Sequence, residues 1–279
     1  RSQGSFVNRL VVPDNYSLAN AKETPTTSYY QSEKEIQSLY AFISLGYKSQ
    51  LYLDLTGRND WSSTLPVDNN SYFYPSATAS WIFSETFGTD QGSFSFGKLR
   101  LSVAQVGNDT GPYRLNSSYN AAQPYGGNPS FTLSTSMPPA NLVNELVTSY
   151  EAGLDLKFFN NRLGLDLTGY KSIAKNQILS APISPTSGFN SQTINAGQVN
   201  NWGIEATVKG TAIQTEKFGW DITANWSTNK NEVVALNGDI QRLELYKAEG
   251  DQIIVVADVG GSYGDMWGKG FVYHENGKP

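Results

Sequence analysis

The residues of this chain that could carry chemistry are few and far apart. Its one histidine, His274, lies near the end of the 279-residue sequence, and there are no cysteines. Without cysteine there are no disulfides, thiol nucleophiles or cysteine-based zinc sites. A lone histidine cannot form the usual His-rich metal site, and a Ser-His-Asp triad built on it has little support. We expect His274 to be an ordinary surface residue.

Three other patterns resemble catalytic or binding motifs only superficially. Glu145 and Glu151 could act as paired carboxylates, but we expect Glu151 to face a hydrated surface. The segment 259–262 lacks the Lys-Ser/Thr of a phosphate-binding loop. The segment 68–70 lacks the glycine and distal glutamate of a calcium loop. We therefore predict no catalytic, cofactor or metal site, and no enzymatic activity.

Aromatic residues in predicted loops are the remaining candidates for ligand contact, because sugar rings stack on aromatic faces. The speculative substrate-binding residues are Trp61, Tyr72, Tyr119, Tyr125 and Trp267. Packing within a loop, or contact with another protein, is the more ordinary explanation for each of them.

Composition favours a β protein. Aromatics make up 13% of the residues, hydrophobic residues only 39%, and there are 26 glycines, which suits many short strands with glycine-containing turns. The net charge is −5 and no basic block occurs, so we expect no nucleic-acid partner. The longest apolar run, Ile253 to Ala257, is far shorter than the roughly 20 residues of a membrane helix.

Period-two alternation predicts about eight strands. In the clearest segment, Trp202 to Lys209, Trp202, Ile204, Ala206 and Val208 share one face. The eight predicted strands cover residues 39–47, 51–56, 73–83, 99–106, 150–158, 163–168, 202–209 and 220–226. Most approach the 9–11 residues with which a tilted strand crosses a bilayer.

Short and long connections largely alternate between these strands. The short ones are 47–51, 159–162 and 212–219; the long ones are 58–71, 107–146, 173–198 and the segment after 229. The connection 84–95 has intermediate length. This order predicts an antiparallel transmembrane β-barrel segment with short periplasmic turns and long extracellular loops. An aromatic girdle at the turn end would include Tyr47, Trp81, Phe83, Phe158, Phe159 and Trp220.

Eight strands do not by themselves make a closed barrel here. We expect the strands mainly within 36–228, and mostly loop in 1–35 and 229–279. An open sheet with unpaired edges is not viable in hydrocarbon, so the chain should be part of a larger closed sheet. It begins at Arg1 without a methionine or signal-peptide pattern, and we expect a processed or excised segment.

Several motifs in order carry a family resemblance. The main ones are GRNDWSSTLP at 57–66, NNSYFYPS at 69–76, KLRLS at 98–102, VGND at 106–109, YEAGLD at 150–155, FFNNRL at 158–163, TSGF at 186–189 and NAGQVNNWGIE at 195–205. Together they resemble the SusC/RagA group of TonB-dependent outer-membrane transporters, over roughly Leu39 to Leu236.

The resemblance implies a barrel of about 22 strands with a plug in its lumen. It also implies import of an oligosaccharide or peptide substrate through the bacterial outer membrane. The implied partners are a SusD-like surface lipoprotein acting as a lid, the TonB complex reached through the plug region, and outer-membrane lipid. Residues 1–279 then form a partial barrel domain with the plug domain absent, and this part alone should transport nothing.

Two other readings remain open. A secreted all-β glycan-binding module would show the same alternation, but it would have to bury the row Leu163, Leu165 and Leu167 between two sheets. An all-β hydrolase would need an acid–base or metal set that the sequence does not supply.

Overall fold

The computed structural model describes residues 2–7, 9–23, 25–88, 93–139, 141–238, 240–248 and 253–270. His274, expected at the surface, lies outside these residues. The chain forms two compact units, Arg1–Glu35 and Ile36–Pro279. In the first, β1 (Ser2–Phe6) pairs antiparallel with β2 (Thr26–Tyr30), and a short 3-10 helix spans Leu18–Asn20. No helix in the described part of the chain is both long and apolar enough to cross a bilayer.

The second unit is built on eight long strands. They are β3 (Ile36–Tyr47), β4 (Leu51–Ser62), β5 (Ser71–Trp81), β6 (Phe94–Asn108), β10 (Glu145–Phe158), β11 (Leu163–Pro182), β12 (Ser191–Gln214) and β13 (Gly219–Ala235). The shorter elements are α1 (Phe83–Phe87), β7 (Tyr119–Tyr125), β8 (Asn128–Leu133), β9 (Ser136–Met137), β14 (Arg242–Lys247), β15 (Ile253–Asp258), β16 (Tyr263–Gly268) and 3-10 helices at Val67–Asn69 and Pro185–Ser187.

The eight strands form one antiparallel sheet in the order β13-β12-β11-β10-β6-β5-β4-β3. The short β9 adds to β12 in parallel. Each long strand thus pairs with the next long strand along the chain, as in an up-and-down barrel wall. Within the described residues, β3 and β13 each have one long neighbour, so the sheet has two open edges. The predicted all-β antiparallel fold is confirmed.

The connections fall at two ends of this sheet. At one, the turn end, are the connections 48–50, 82–93, 159–162 and 215–218. The first and third are tight: Lys48, Ser49 and Phe159–Asn161 all have positive φ, which matches the twist of a tight hairpin. At the other, the loop end, are 63–70, 109–144, 183–190 and the chain after 235. The predicted alternation of connections is therefore present in the topology.

Several strands continue beyond the alternating segments that predicted them. Residues 173–198 were predicted as a long loop, but β11 and β12 continue through this stretch for 20 and 24 residues in all. Their pairing runs up to Pro182 opposite Ser191. The expected loop 58–71 likewise shrinks, since β4 reaches Ser62. Alternation is lost there because neither face is uniformly apolar, while backbone pairing continues without it.

The segment 229–279, expected to be mostly loop, also needs correction. β13 continues to Ala235, and β14, β15 and β16 form a three-stranded sheet. This sheet joins the far ends of β11–β13 through a buried cluster of Ala181, Val199, Val233, Leu243 and Ala257. The Val233 amide also donates to the Gly261 carbonyl at 2.9 Å. These short strands depend on tertiary packing, which local periodicity does not report.

The long sheet has one apolar and one polar face. Leu45, Leu53, Ala79 and Leu101 are successive cross-strand partners on the apolar face. One residue along, Ser44, Asp54, Thr78 and Ser102 are partners on the polar face. No described part of this unit covers the apolar face: Ile43 is 55% exposed, Leu101 51% and Ile222 47%. The buried leucine row that a sandwich requires is therefore not observed.

The apolar band is inclined to the hydrogen-bond rows. Successive cross-strand partners lead from Ile43, at the middle of the apolar segment of β3, across the sheet to Lys230 on β13. Lys230 lies about seven residues beyond the middle of the apolar segment of β13, Trp220 to Trp226. Seven residues are about 23 Å, and seven strand spacings are about 34 Å, giving a strand tilt of about 35°. On β3 the band from Leu39 to Tyr47 then stands about 22 Å high, and both values match transmembrane barrels.

Aromatic rings line the turn end, as predicted. Trp81 contacts Phe83 at 5.9 Å between ring centroids, and Phe83 stacks on Phe94 at 6.0 Å. Phe94 contacts Phe158 at 5.7 Å, and Phe158 contacts Phe159. The rings connect the turn ends of β5, β6 and β10 into one continuous aromatic cluster. Such clusters mark the interfacial levels of membrane barrels.

Candidate functional site

The polar face of the eight strands is the main candidate surface for function. Hydroxyls on neighbouring strands bond to one another there: Thr56 with Ser76 at 2.6 Å, and Ser149 with Ser172 at 2.8 Å. Glu151 lies on this face, as predicted, between Ser102 and Tyr170. A wall of hydroxyls, amides and charges tolerates water and polar solutes, in contrast to the apolar face behind it.

An ion pair crosses the middle of this face. Arg100 Nη2 on β6 donates to both carboxylate oxygens of Asp166 on β11, at 3.0 and 3.1 Å. The guanidinium passes over Gly153 of β10, where a Cβ would meet Arg100 Nη2 at 2.8 Å. The Gly153 position thus leaves room for an interaction that spans three strands. Both side chains remain partly exposed, so this charge pair is accessible from the polar face.

A second network lies near the loop end of the face. Arg58 Nε donates to Asp60 at 2.8 Å, and Arg58 Nη2 donates to Ser38 Oγ at 3.0 Å. The Tyr74 hydroxyl donates to the other Asp60 oxygen. Asp60 is 4% exposed, and a buried carboxylate is tolerated only when paired and hydrogen-bonded. The network therefore fixes the loop ends of β3, β4 and β5 in one arrangement.

The roots of two loops are joined by a buried hydroxyl–carboxylate cluster. Ser62, the last residue of β4, and Thr64, in the 63–70 connection, both donate to Asp109 Oδ2, Thr64 at 3.1 Å. All three residues are buried. Asp109 begins the 109–144 connection, so this cluster ties the two loops together where they leave the sheet. An apolar cluster of Leu65, Tyr72 and Leu142 lies in the same region of the chain.

The five aromatic candidates do not form one site. Trp61 shares its alternation with Leu55 and so lies on the apolar face, 40% exposed. Tyr72 is buried and stacks on Tyr74. Tyr119 and Tyr125 are highly exposed on the β7–β8 hairpin. Trp267 lies on β16, under the Arg242 guanidinium at 4.4 Å.

Arg242 also pairs with a carboxylate beside Trp267. Its Nε and Nη2 donate to Asp258 at 2.5 and 2.7 Å. The Arg242 hydrogen bonds hold the pKa of Asp258 below its usual value, and Trp267 contributes a smaller hydrogen bond in the same direction. Trp267 is therefore engaged in holding β14, β15 and β16 together.

Glu145 and Glu151 do not form a catalytic pair. Six residues along one extended strand separate them by about 20 Å, whereas paired glycosidase carboxylates lie within about 10 Å. Glu145 accepts from the Ile178 amide at 2.8 Å and from Asn108 at 2.9 Å. Across the described residues, no group of three His, Cys, Asp or Glu side chains is arranged to hold a metal ion.

Sequence reasoning missed Asp60, Asp109, Arg100 and Asp166. Asp60 and Asp109 lie inside the motifs GRNDWSSTLP and VGND that carried the family resemblance. That position was the available signal, but the partners of Asp109 lie 45 and 47 residues away. No local pattern connects residues at that separation.

Comparisons with known proteins agree with this architecture. The family model described as TonB dependent receptor-like, beta-barrel matches residues 3–278. TonB-dependent receptor P26 of Formosa agariphila is 34% identical over 234 residues, covering 81% of this chain and 23% of that protein. TonB-dependent receptor SusC of Bacteroides thetaiotaomicron is 30% identical over 270 residues, covering 90% and 26%.

A solved structure shows the same fold. The RagAB peptide transporter superposes with a TM-score of 0.75 at 22% identity, over 89% of this chain and 28% of that one. The chain thus spans about a quarter of the length of the relatives it matches. The resemblance to the SusC/RagA group is confirmed, and the chain belongs to the TonB dependent receptor-like β-barrel family.

Proposed function

We propose that this chain supplies about eight consecutive strands to the closed barrel of an outer-membrane nutrient importer. The observation that carries the proposal is the inclined apolar band, uncovered on one face and backed by hydroxyls and charges on the other. A sheet with such a band is stable only where hydrocarbon contacts it. The open edges of β3 and β13 would pair with further strands of a barrel of about 22 strands.

In this arrangement the polar face lines the lumen and the loop end lies outside the cell. Short periplasmic turns and longer external loops are the rule for such barrels. A plug carried elsewhere in the protein would contact the polar face and receive energy from the TonB complex. The charge pair Arg100–Asp166 and the hydroxyl rows would then meet the plug or the passing solute. No step requires a covalent reaction, so we propose a transporter and not an enzyme.

The cargo is an oligosaccharide or a peptide, with a SusD-like lipoprotein as the lid. Relatives named SusC and RagAB peptide transporter support this class. Of the five aromatic candidates, Tyr119 and Tyr125 have the exposure that a contact with cargo or lid requires. Tyr72 is buried, Trp61 lies on the apolar face and Trp267 packs against Arg242, so we propose structural roles for these three.

Labelling of single cysteines in intact cells tests the placement. The whole receptor that contains this chain, first made cysteine-free, would carry Tyr125→Cys, Leu165→Cys or Asp166→Cys. We expect a membrane-impermeant thiol reagent to label Tyr125→Cys, to leave Leu165→Cys unlabelled, and to reach Asp166→Cys only through the lumen. Equal labelling of all three would refute a membrane location.

Deletion of the β7–β8 hairpin, residues 119–133, tests the link to import. We expect the receptor to keep its amount in the outer membrane while losing co-purification of the lid lipoprotein and uptake of labelled oligosaccharide or peptide. Shortening the turn-end connection 82–93 provides the control for a loop change on the other side. Unchanged uptake of both cargo classes by the hairpin deletion would contradict the proposed role of this hairpin.

A further inference from the structure

Charged side chains on the apolar face are confined to one region. Alternation places only Lys171, Lys175, Lys230 and Glu232 on that face among the charged residues of the eight strands. All four lie on β11 and β13, on the loop-end side of the apolar segments 163–168 and 220–226. At the same end, strands β3–β6 present uncharged side chains, namely Gln37, Asn59, Ser71 and Gln105. The cationic group is therefore local and is not a ring around the sheet.

Two of the lysines belong to one cross-strand row. Tyr150 lies opposite Lys171, Lys171 opposite Trp202, and Trp202 opposite Lys230. Two strand spacings put the Cα atoms of the two lysines about 10 Å apart, so their ammonium groups can converge on one anion above Trp202. Neither lysine has an ion-pair partner among the described residues. Glu232, one alternation step beyond Lys230, is the one acid on this face.

A groove in the apolar face begins beside Lys171. It has a volume of about 770 Å³, and Ala77, Ala79, Ala152 and Gly169 are among its lining residues, with Leu53, Leu101 and Tyr150. Small residues on β5, β10 and β11 lower the surface on both sides of β6, where bulkier residues would fill it. At Gly169 no atom lies within 4 Å of where a Cβ would stand. The groove is thus largely apolar and open, and Lys171 is the cation among its lining residues.

We propose that this row and groove bind one phosphate-bearing lipid of the outer leaflet. The phosphate is held between Lys171 and Lys230, and an acyl chain fills the groove beside Gly169. Lysines at the interface attract anionic headgroups, while aromatic rings such as Trp202 sit at headgroup depth. The inference rests on the proposed membrane placement but not on the identity of the cargo.

Native mass spectrometry of the intact receptor tests the proposal. The receptor, purified in neutral detergent, is titrated with monophosphorylated lipid A and with its phosphate-free form. We expect one phosphorylated lipid to be retained per protein. Lys171→Gln with Lys230→Gln should weaken retention roughly thirty-fold at low salt, because each lysine beside an anionic headgroup contributes about a five-fold gain. The matched control, Lys209→Gln with Lys217→Gln, changes the polar face and the turn end and should leave retention unchanged.

A second variant separates the groove from the charges. Gly169→Leu, whose Cβ would have no atom within 4 Å, places an isobutyl group in the groove and should weaken retention with both lysines intact. Unchanged retention by the lysine pair variant, or equal retention of the phosphate-free lipid, would overturn the proposal. A wild-type receptor that stays in the outer membrane but retains no lipid would refute this inference alone. A receptor absent from the membrane fraction would refute the proposed placement itself.

Discussion

Three glycines of β12 form a graded series in which the space for a Cβ decides the cost of substitution. A Cβ at Gly197 would stand 1.8 Å from the Ala235 carbonyl oxygen, and one at Gly203 would stand 2.2 Å from the Thr228 carbonyl oxygen. At Gly210 the nearest atom is a Leu163 methyl at 3.9 Å. We predict that Gly197→Ala is the most destabilising and Gly210→Ala the least.

The magnitudes follow from two effects. Gly197 has φ +49°, and an alanine there costs about 1–2 kcal/mol for the left-handed backbone. Overlap with a backbone carbonyl forces β12 and β13 apart, adding about 1–3 kcal/mol. Gly197→Ala should therefore lower the free energy of unfolding by about 2–5 kcal/mol. Gly203→Ala has only the overlap effect, about 1–3 kcal/mol.

Gly210→Ala serves as the matched control in the same strand. Alanine fits there and restricts the unfolded chain, so the expected change lies between zero and a gain of about 1 kcal/mol. The close approach at Gly197 arises from the bulge in β13, where the register shifts between Gln198 and Val199. That bulge brings the Ala235 carbonyl over the glycine.

Urea unfolding of the intact receptor in lipid vesicles, followed by tryptophan emission, gives the three midpoints. Hydrogen exchange of the β12–β13 amides shows whether the damage is local to the loop end. If Gly197→Ala and Gly210→Ala unfold at the same urea concentration, the carbonyl contact does not constrain the strand and the reasoning fails.

Three further predictions concern other parts of the sheet. Leu165→Lys, on the apolar face, should destabilise the membrane-inserted receptor by about 2–4 kcal/mol in the same urea assay. The control Ser227→Lys, on the polar face, should be near neutral, and equal effects of the two substitutions would contradict the assignment of faces. Asp109→Asn removes the charge that accepts two buried hydroxyl hydrogen bonds and should lower the local stability of the loop roots by about 1–3 kcal/mol. We expect faster hydrogen exchange in residues 63–70 and 109–144, and unchanged exchange would show that the cluster does not hold the loops. Because its hydrogen bonds from Arg242 lower the pKa of Asp258, the stabilisation is present above the ordinary aspartate pKa and is lost as the pH falls through the lowered value. The protection factors of the β14–β16 amides, which are corrected for the intrinsic pH dependence of exchange, should therefore fall in acid for the wild type but change little for Asp258→Asn, and an identical pH response in the two proteins would argue against it.

Local alternation predicts the part of each strand that contacts two different environments. Trp202 to Lys209 is predicted correctly because one face is apolar and the other polar along its whole length. Residues 173–198 fail because β11 and β12 continue there into a region where Ala181 and Val199 are buried by β14 and β15. The pairing in that region is set by neighbours distant in sequence.

The candidate site divides in the same way. The alternating segment 51–56 predicts a loop from residue 58 and so places Trp61 in it, whereas β4 continues to Ser62. The odd-numbered alternation that Trp61 shares with Leu53 and Leu55 indicates the apolar face. The cluster of Ser62, Thr64 and Asp109 was not predictable, because it joins two connections that are separated in the chain by strands β5 and β6. Only the motifs that contain these residues pointed to their importance.

The placement of the buried networks bears on how an importer can combine a fixed wall with variable recognition. Asp60 and Asp109 are buried, each accepts at least two hydrogen bonds, and both lie where β4–β6 give rise to the loops. Buried carboxylates with several partners resist rearrangement, because moving any partner leaves a charge unsatisfied. The β7–β8 hairpin beyond them has mostly exposed side chains, including Tyr119 and Tyr125. Sequence changes in the hairpin can therefore alter contacts with cargo or lid without disturbing the wall, whereas changes at the loop roots alter both together.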